Sequence, residues 1–277
     1  MTAPEPLRPL LIQGGPRARG RAHGEALRPR IKELLQAWSA EVQAEAGEVL
    51  DAYLARFTRQ THFLADLERW TPGLLQEVEG IAEGAEISLR DCLCLQLMDE
   101  HWAHLDRLER TRARSAEARG RRPPERCSCL GQVDAASGAV TIAQNMDLPR
   151  FLDGFQTLLR VRYPQGGPEL LVPTYPGFIG LFGLSDRGLG VCVNSLSQLR
   201  NAPRGLPVAF LIRALLEQPD LQAAVGLARS LPHATGQNYL LAGAEGLVDL
   251  EGSAGGVTRY MPPRRRGCPP VPHQPPP

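Results

Sequence analysis

Cys127 stands where a basic segment gives way to a predicted strand, and in that place a thiol could act as a nucleophile. Residues 107–126 are rich in Arg, Glu, Ala and Pro and lack hydrophobic periodicity, and Arg126-Cys127-Ser128-Cys129 follows them. The thiolate is the reactive form of cysteine, so chemistry at Cys127 needs a base nearby. A buried structural thiol is the ordinary interpretation of such a residue and stays open here.

Polar residues that could support this thiol follow at the ends of two further predicted strands. Asp147 closes the run Gln144-Asn145-Met146-Asp147, and Asn194 ends Gly190-Val191-Cys192-Val193-Asn194. Asp147 could instead cap a turn before Leu148-Pro149, and Asn194 could be an edge-strand residue. Side chains alternate along a strand, so Cys129 shares the face of Cys127 and we expect it to pack, while Ser128 points the other way.

Composition places the chain among ordinary globular proteins and excludes several function classes. Hydrophobic residues make up 43% and charged residues 22%, and the formal net charge is +1. This balance favours neither nucleic acid nor an anionic membrane as a partner, and the basic runs 107–126 and 264–266 read as solvated linker and tail. Neither a signal-peptide pattern nor an apolar run of about 20 residues occurs, so we expect a cytoplasmic protein.

The six cysteines do not have the spacing of a metal knuckle or a disulfide framework. They occur as Cys92 and Cys94, Cys127 and Cys129, Cys192 and Cys268, so we expect no metal site. A thiol-based metal or redox sensor built from the first four stays open as an alternative. A Ser/His/Asp triad would need a G-x-S-x-G elbow, which the sequence lacks.

Hydrophobic periodicity predicts helices in the front third and strands after the basic segment. Apolar residues three and four apart predict helices over 20–42, 45–67, 74–84 and 88–108. Short β-runs follow at 138–143 and 157–162, with a hairpin over 178–196 and strands at 238–241 and 246–251. A helix over 206–229 with a break at Pro219 lies between them. We therefore divide the chain into a helical front segment (1–106), a basic linker (107–126), a sheet domain (127–260) and a Pro/Arg tail (261–277).

The motifs around Cys127, Asp147 and Asn194, taken in the order in which they follow along the chain, resemble those of the penicillin acyltransferase family. This is a family of cysteine N-terminal-nucleophile hydrolases, relatives of the choloylglycine hydrolases. The resemblance rests on Cys127-Ser128-Cys129, on Gln144-Asn145-Met146-Asp147, on the hairpin that ends in Val193-Asn194, and on two phrases of the front third, 19–25 and 77–85. It covers roughly residues 10–255. It implies an α/β fold, a four-layer αββα sandwich preceded by a helical segment.

The resemblance also implies a function and roles for individual residues. Such proteins are precursors that cut themselves before the nucleophile, here between Arg126 and Cys127, and the freed α-amine then acts as the base. Asp147 would balance that α-ammonium, the backbone amide of Asn194 would help form an oxyanion hole, and Ser128 would support the cleavage. The remaining positions that match the family are Asn145 and Glu251, the latter equally well explained as a surface charge.

The implied reaction is hydrolysis or acyl transfer at a linear amide, of a non-peptide or a small peptide, through an acyl-Cys127 intermediate. No cofactor is implied, although coenzyme A thioesters are allowed as acyl donors, and the two chains of the processed precursor are expected to stay associated. The family pattern continues into a His-Thr-Asn-His-like segment that this sequence lacks. A set of bases that can encode residues 272–276 encodes His-Thr-Asn-His when the reading frame is shifted by one base. We therefore expect a C-terminus that is incomplete or frame-shifted. A catalytically inactive homologue or an interaction protein is the alternative.

Overall fold

The computed structural model describes residues 7–113, 127–164 and 166–260. The helices are α1 (Pro16–Ala46), α2 (Leu50–Arg59), α3 (Phe63–Trp70), α4 (Pro72–Ala85), α5 (Leu89–Gln96), α6 (Met98–Ala113), α7 (Val208–Leu216) and α8 (Leu221–Ser230). The strands are β1 (Leu10–Gln13), β2 (Ser128–Val133), β3 (Val140–Asn145), β4 (Thr157–Arg162), β5 (Glu169–Thr174), β6 (Gly183–Ser185), β7 (Gly190–Ser195), β8 (Gln237–Gly243), β9 (Gly246–Ser253) and β10 (Gly256–Arg259).

The strands form one large sheet and one separate hairpin. The large sheet has eight strands in the order β1-β4-β5-β6-β7-β8-β9-β10, and β2 pairs with β3 in the hairpin. Neighbouring strands run antiparallel except β1, which runs parallel to β4 with Leu10 opposite Leu159. Helices from the front third and helices α7 and α8 pack with this sheet, so the predicted α/β sandwich is confirmed.

The hairpin and helix α8 cover opposite faces of the large sheet. A Cβ atom at Gly131 in β2 would lie against Leu240 and Leu247, whereas one at Gly243 would lie against Leu221 of α8. Residues 240 and 243 of β8 point to opposite faces because side chains alternate along a strand. Helices, sheet and hairpin are thus three successive layers. On the outer face of the hairpin Leu130 remains 63% exposed, because no helix of the described residues covers it.

Helices α1 and α4 pack with their backbones almost in contact. Glycines four residues apart line both sides of the contact, at Gly20 and Gly24 in α1 and at Gly80 and Gly84 in α4. A Cβ atom at Gly20 would lie 1.9 Å from the carbonyl oxygen of Glu77. Small residues at this spacing let two helices approach closely, which explains why the glycines stand inside helices that they otherwise weaken.

A fully buried ion pair connects helices α1 and α4 of the front segment to helix α7, which follows strand β7. Arg213 of α7 donates from Nη1 to Oε1 of Glu77 in α4 at 3.0 Å, and Arg19 of α1 donates from Nη2 to Oε2 of the same carboxylate at 2.8 Å. Burial alone would raise the pKa of Glu77, but the two guanidinium groups hold it below its usual value. The carboxylate therefore stays charged inside the core.

Several element boundaries differ from the sequence prediction. The predicted helix over 45–67 is two helices, α2 and α3, and the helix over 88–108 divides into α5 and α6 at Leu97, whose backbone is no longer helical. Helix α6 continues to Ala113 rather than ending near Leu108. Strand β1 was not predicted, because four residues without alternation carry little signal. The predicted break at Pro219 is confirmed between α7 and α8, where Asp220 caps α8 through Ala223.

Candidate active site

A cleft of about 470 Å³, including its open mouth, contains Cys127 in its wall. Residues from both halves of the chain form the cleft, from the first turns of α6 through to β8. The lining residues are Met98, Asp99, Trp102, Cys127, Met146, Leu148, Leu152, Tyr175, Phe178, Leu181, Val193, Ser195, Val208, Ile212 and Gln237. Most of its wall is apolar, as is typical of small-molecule sites.

The start of strand β2 places the cysteines as the alternation of a strand predicts. Cys127 directly precedes β2 and is half-buried, as is Cys129, whereas Ser128 and Leu130 are exposed on the other face. The thiol of Cys129 donates to Oδ1 of Asn194 at 3.1 Å. Cys129 packs against β7, as expected, and so fixes the first residues of the hairpin over the sheet.

Gln144 of β3 fastens the hairpin to β7, a role that sequence reasoning missed. Its Nε2 donates to the carbonyl oxygen of Val193 at 2.5 Å, and its Oε1 accepts from the amide nitrogen of Val193 at 3.0 Å. Strand β6 is short and pairs only with the first residues of β7, so the side-chain amide takes the place of a neighbouring strand. The residue type carries a signal, since an amide is the one side chain that both donates and accepts in this way.

The side chain of Asn194 belongs to a polar chain between β7, β8 and β9. Besides the bond from Cys129, its Nδ2 donates to Oδ1 of Asn238 at 3.2 Å, and Asn238 donates in turn to Asp249. Burial raises the pKa of Asp249, and the bond from Asn238 opposes that rise. The neighbours of Asn194 in the strand, Val193 and Ser195, line the cleft, while its own side chain points toward the hairpin.

The other predicted site residues lie at the edges of this arrangement. Asn145 is exposed at the end of β3, opposite Ser128 in the hairpin register. Asp147 is exposed two residues later and makes no hydrogen bond or ion pair with another described residue. Glu251 lies on β9 opposite Asn238, half-buried and outside the cleft wall. Arg126 lies outside the described residues, as do the greater part of the predicted linker and the whole tail.

The loop that carries Tyr175 and Phe178 into the cleft is held by the front helices. The amide nitrogen of Gly177 donates to Nε2 of His23 at 3.0 Å. Gln96 donates to the carbonyl oxygen of Gly177 at 2.6 Å and accepts from the amide nitrogen of Ile179 at 2.9 Å. Gly177 has φ +87°, a backbone conformation that favours glycine. Burial lowers the pKa of His23 to about 4, so the imidazole is neutral and Nε2 can accept.

The remaining cysteines of the described residues, Cys92, Cys94 and Cys192, do not line the cleft. Cys92 and Cys94 are buried in α5, and burial raises the pKa of the Cys94 thiol to about 12 and that of Cys92 further. The Cys192 thiol lies beside that of Cys129, and this contact together with burial raises the pKa of the Cys129 thiol. Among the residues that the structure describes, His, Cys, Asp and Glu form no group of three or more that could hold a metal ion.

The helices of the described residues are each too short or too polar to cross a membrane.

Comparison with known proteins connects this arrangement to one family. The family model for acyl-coenzyme A:6-aminopenicillanic acid acyl-transferase matches residues 135–266. A search of curated proteins finds no match to the chain. The matched segment begins after Cys127 and contains Asp147, Asn194 and the strands β3 to β10. The resemblance noted from the sequence is confirmed over residues 135–266, which match the model of the acyl-coenzyme A:6-aminopenicillanic acid acyl-transferase family, a family of enzymes.

Proposed function

We propose that this protein is a precursor that cleaves itself between Arg126 and Cys127 and then acts on small-molecule amides through an acyl-Cys127 intermediate. The observation that carries the proposal is the position of Cys127, which lies at the start of β2 in the wall of a largely apolar cleft. The family of the adjoining domain supports acyl transfer as the reaction. A thiol that faces a small-molecule cleft suits this chemistry, whereas the buried Cys92 and Cys94 do not.

Self-cleavage is a displacement at the carbonyl carbon of Arg126. The Sγ atom of Cys127 bonds to that carbon, the Arg126–Cys127 C–N bond breaks, and the nitrogen takes up the thiol proton. Water then hydrolyses the thioester, which leaves a carboxylate on Arg126 and an α-amine on Cys127. An α-amine ordinarily titrates at about 8, close to neutral pH, so this amine can take the thiol proton in later turnovers.

Turnover repeats the same displacement on a substrate amide. The thiolate attacks the amide carbon, the amine leaves with the proton held by the α-amino group, and the acyl group remains on Cys127 as a thioester. Water completes a hydrolysis, and a second amine completes an acyl transfer. Coenzyme A thioesters can load Cys127 in the same way, and no bound cofactor takes part. In this scheme Asp147 balances the α-ammonium and the backbone amide of Asn194 donates to the oxyanion.

The contacts between the front helices and the sheet support the proposal that the two chains stay together after cleavage. Glu77 is enclosed by Arg19 of the front segment and Arg213 of the sheet domain, and His23 and Gln96 hold the Gly177 loop. The cleft wall itself takes Met98, Asp99 and Trp102 from the front segment. Loss of that segment would therefore remove one side of the cleft.

The test is a denaturing mass spectrum of the purified full-length chain beside two matched variants. We expect two fragments from the wild type, residues 1–126 and 127–277, and the same two from Gln132→Leu, whose side chain is exposed on β2. Cys127→Ala should remain one intact chain. An uncut wild-type chain, or fragments that persist in Cys127→Ala, would overturn the proposal and favour a non-catalytic homologue.

A further inference from the structure

Asp99 is the one charged side chain in the wall of the Cys127 cleft, as far as the described residues define that wall. It stands in the first turn of α6, next to Met98 and one turn before Trp102. The cleft otherwise presents apolar side chains together with the polar groups of Ser195, Gln237, Tyr175 and Cys127 itself. A ligand that fills this cleft must therefore place a hydrogen-bond donor or a positive charge beside this carboxylate.

Two neighbours hold Asp99 in one orientation by binding the same oxygen. The hydroxyl of Ser195 donates to Oδ1 at 2.6 Å, and Nε2 of Gln237 donates to Oδ1 at 3.2 Å. Both neighbours also line the cleft. Oδ2 accepts no hydrogen bond from the described residues, so this oxygen is the one left for a ligand.

Neutral donors surround this carboxylate, and among the described residues no basic side chain forms an ion pair with it. Removal from bulk water raises the pKa of Asp99, while the bonds from Ser195 and Gln237 oppose that rise. Its neighbour Glu100 is buried, and burial raises the pKa of Glu100 to about 8 despite hydrogen bonds from Val208 and Thr235. A carboxylate that is desolvated without a cation is costly, and a cationic ligand would offset that cost.

We propose that Asp99 binds an ammonium group of the substrate, so that the preferred amides join an alkylammonium to an apolar portion that fills the cleft. The assignment of this ligand as a substrate rests on the proposed function, because the same cleft holds Cys127. An ammonium is a compact point charge with three N–H donors, one of which can bond to Oδ2. A guanidinium prefers both oxygens of a carboxylate, and Oδ1 already accepts two hydrogen bonds.

The experiment measures binding without any turnover. Isothermal titration follows n-hexylammonium and 1-hexanol, which share one alkyl chain, on the full-length Cys127→Ala chain near about pH 8, where an ordinary Asp is ionised. We expect n-hexylammonium to bind about tenfold more tightly, the gain of one charge-assisted hydrogen bond. Asp99→Asn in the same background should abolish the preference, because Asn keeps the acceptor at Oδ1 and loses the charge.

The control is Asp186→Asn, which removes one negative charge from the exposed turn between β6 and β7. It should leave the preference unchanged. Should Asp99→Asn fail to fold, Asp99→Ser serves as the second variant. Equal affinities for the two probes, a preference that persists without the carboxylate, or no binding of either probe would each overturn the inference. A preference for n-hexylammonium in a chain whose wild type stays uncut would leave the ammonium site standing and refute the proposed function alone.

Discussion

The guanidinium of Arg213 and the carboxylate of Glu77 are both inaccessible to solvent and lie 3.0 Å apart, although 136 residues separate them along the chain. Glu77 belongs to the helical front segment, and Arg213 belongs to helix α7, which follows β7. Their contact crosses the boundary that self-cleavage would create, so it bears on both stability and the association of the two chains.

The first prediction concerns this pair. Glu77→Gln removes the charge between Arg19 and Arg213 and leaves two buried guanidinium groups without the carboxylate that they share. We expect the free energy of unfolding to fall by about 3–5 kcal/mol, as for other broken buried pairs. Urea unfolding followed by circular dichroism measures it. Glu83→Gln is the control, because the Glu83 contacts with Arg17 and Arg21 are exposed and therefore screened by solvent. Equal losses in the two variants would contradict the prediction.

A second prediction tests the close packing of α1 and α4. Gly20→Ala places a Cβ against the backbone of Glu77, which does not yield as a flexible side chain would. We expect a loss of roughly 1–3 kcal/mol in unfolding free energy from overpacking. Gly226→Ala in α8 is the matched control, since nothing lies within 4 Å of its Cβ position and alanine favours a helix. Thermal unfolding of both variants decides the matter, and a stabilised Gly20→Ala chain would refute the close contact.

A third prediction follows from the neutral imidazole of His23. Burial lowers the pKa of His23 to about 4, against 6.5 for an ordinary histidine. As the pH falls below 6.5 the unfolded chain takes up a proton that the folded chain refuses, and stability is lost progressively down to the folded pKa. Between these two pKa values, this one group lowers the free energy of unfolding by roughly 1 kcal/mol for each unit by which the pH falls.

Other buried histidines titrate in the same window, so the measurement compares slopes. Burial lowers the pKa of His101 to about 3 and that of His104 to about 4. His23→Asn retains an acceptor for Gly177 and cannot take up the proton. Urea midpoints measured between about pH 6.5 and 4.5 should fall less steeply for this variant than for the wild type. Parallel slopes would mean that His23 titrates alike in the folded and unfolded chains.

A fourth prediction concerns the clamp that Gln144 forms on Val193. Gln144→Leu keeps the size of the side chain and leaves both the amide and the carbonyl of Val193 without a partner. We expect a loss of about 1–3 kcal/mol for each buried group left unsatisfied, and slower self-cleavage because the clamp positions the hairpin that begins at Cys127. Gln132→Leu on exposed β2 is the control. A Gln144→Leu chain with wild-type stability and wild-type cleavage would show that the clamp does not position the hairpin.

Local patterns in the sequence predicted much of the secondary structure and part of the site. Apolar spacing located most helices, Pro219 marked the break between α7 and α8, and the period of two placed Cys129 on the face that packs against β7. These features depend on neighbours within a few residues, which is the range over which periodicity carries information. The ordered motifs around Cys127, Asp147 and Asn194 also indicated the family, which the match over 135–266 confirms.

Tertiary structure alone decided which distant residues meet at the cleft. Nothing in the spacing indicated that Asp99 of α6 would accept a hydrogen bond from Ser195 of β7, that Gln144 would replace a strand beside Val193, or that β1 would pair in parallel with β4. Such contacts arise when apolar faces are buried against each other and polar groups carried inside must find partners. The sequence by itself determined the elements and the identity of the thiol at their junction, whereas packing determined the walls of the cleft and the lone carboxylate within them.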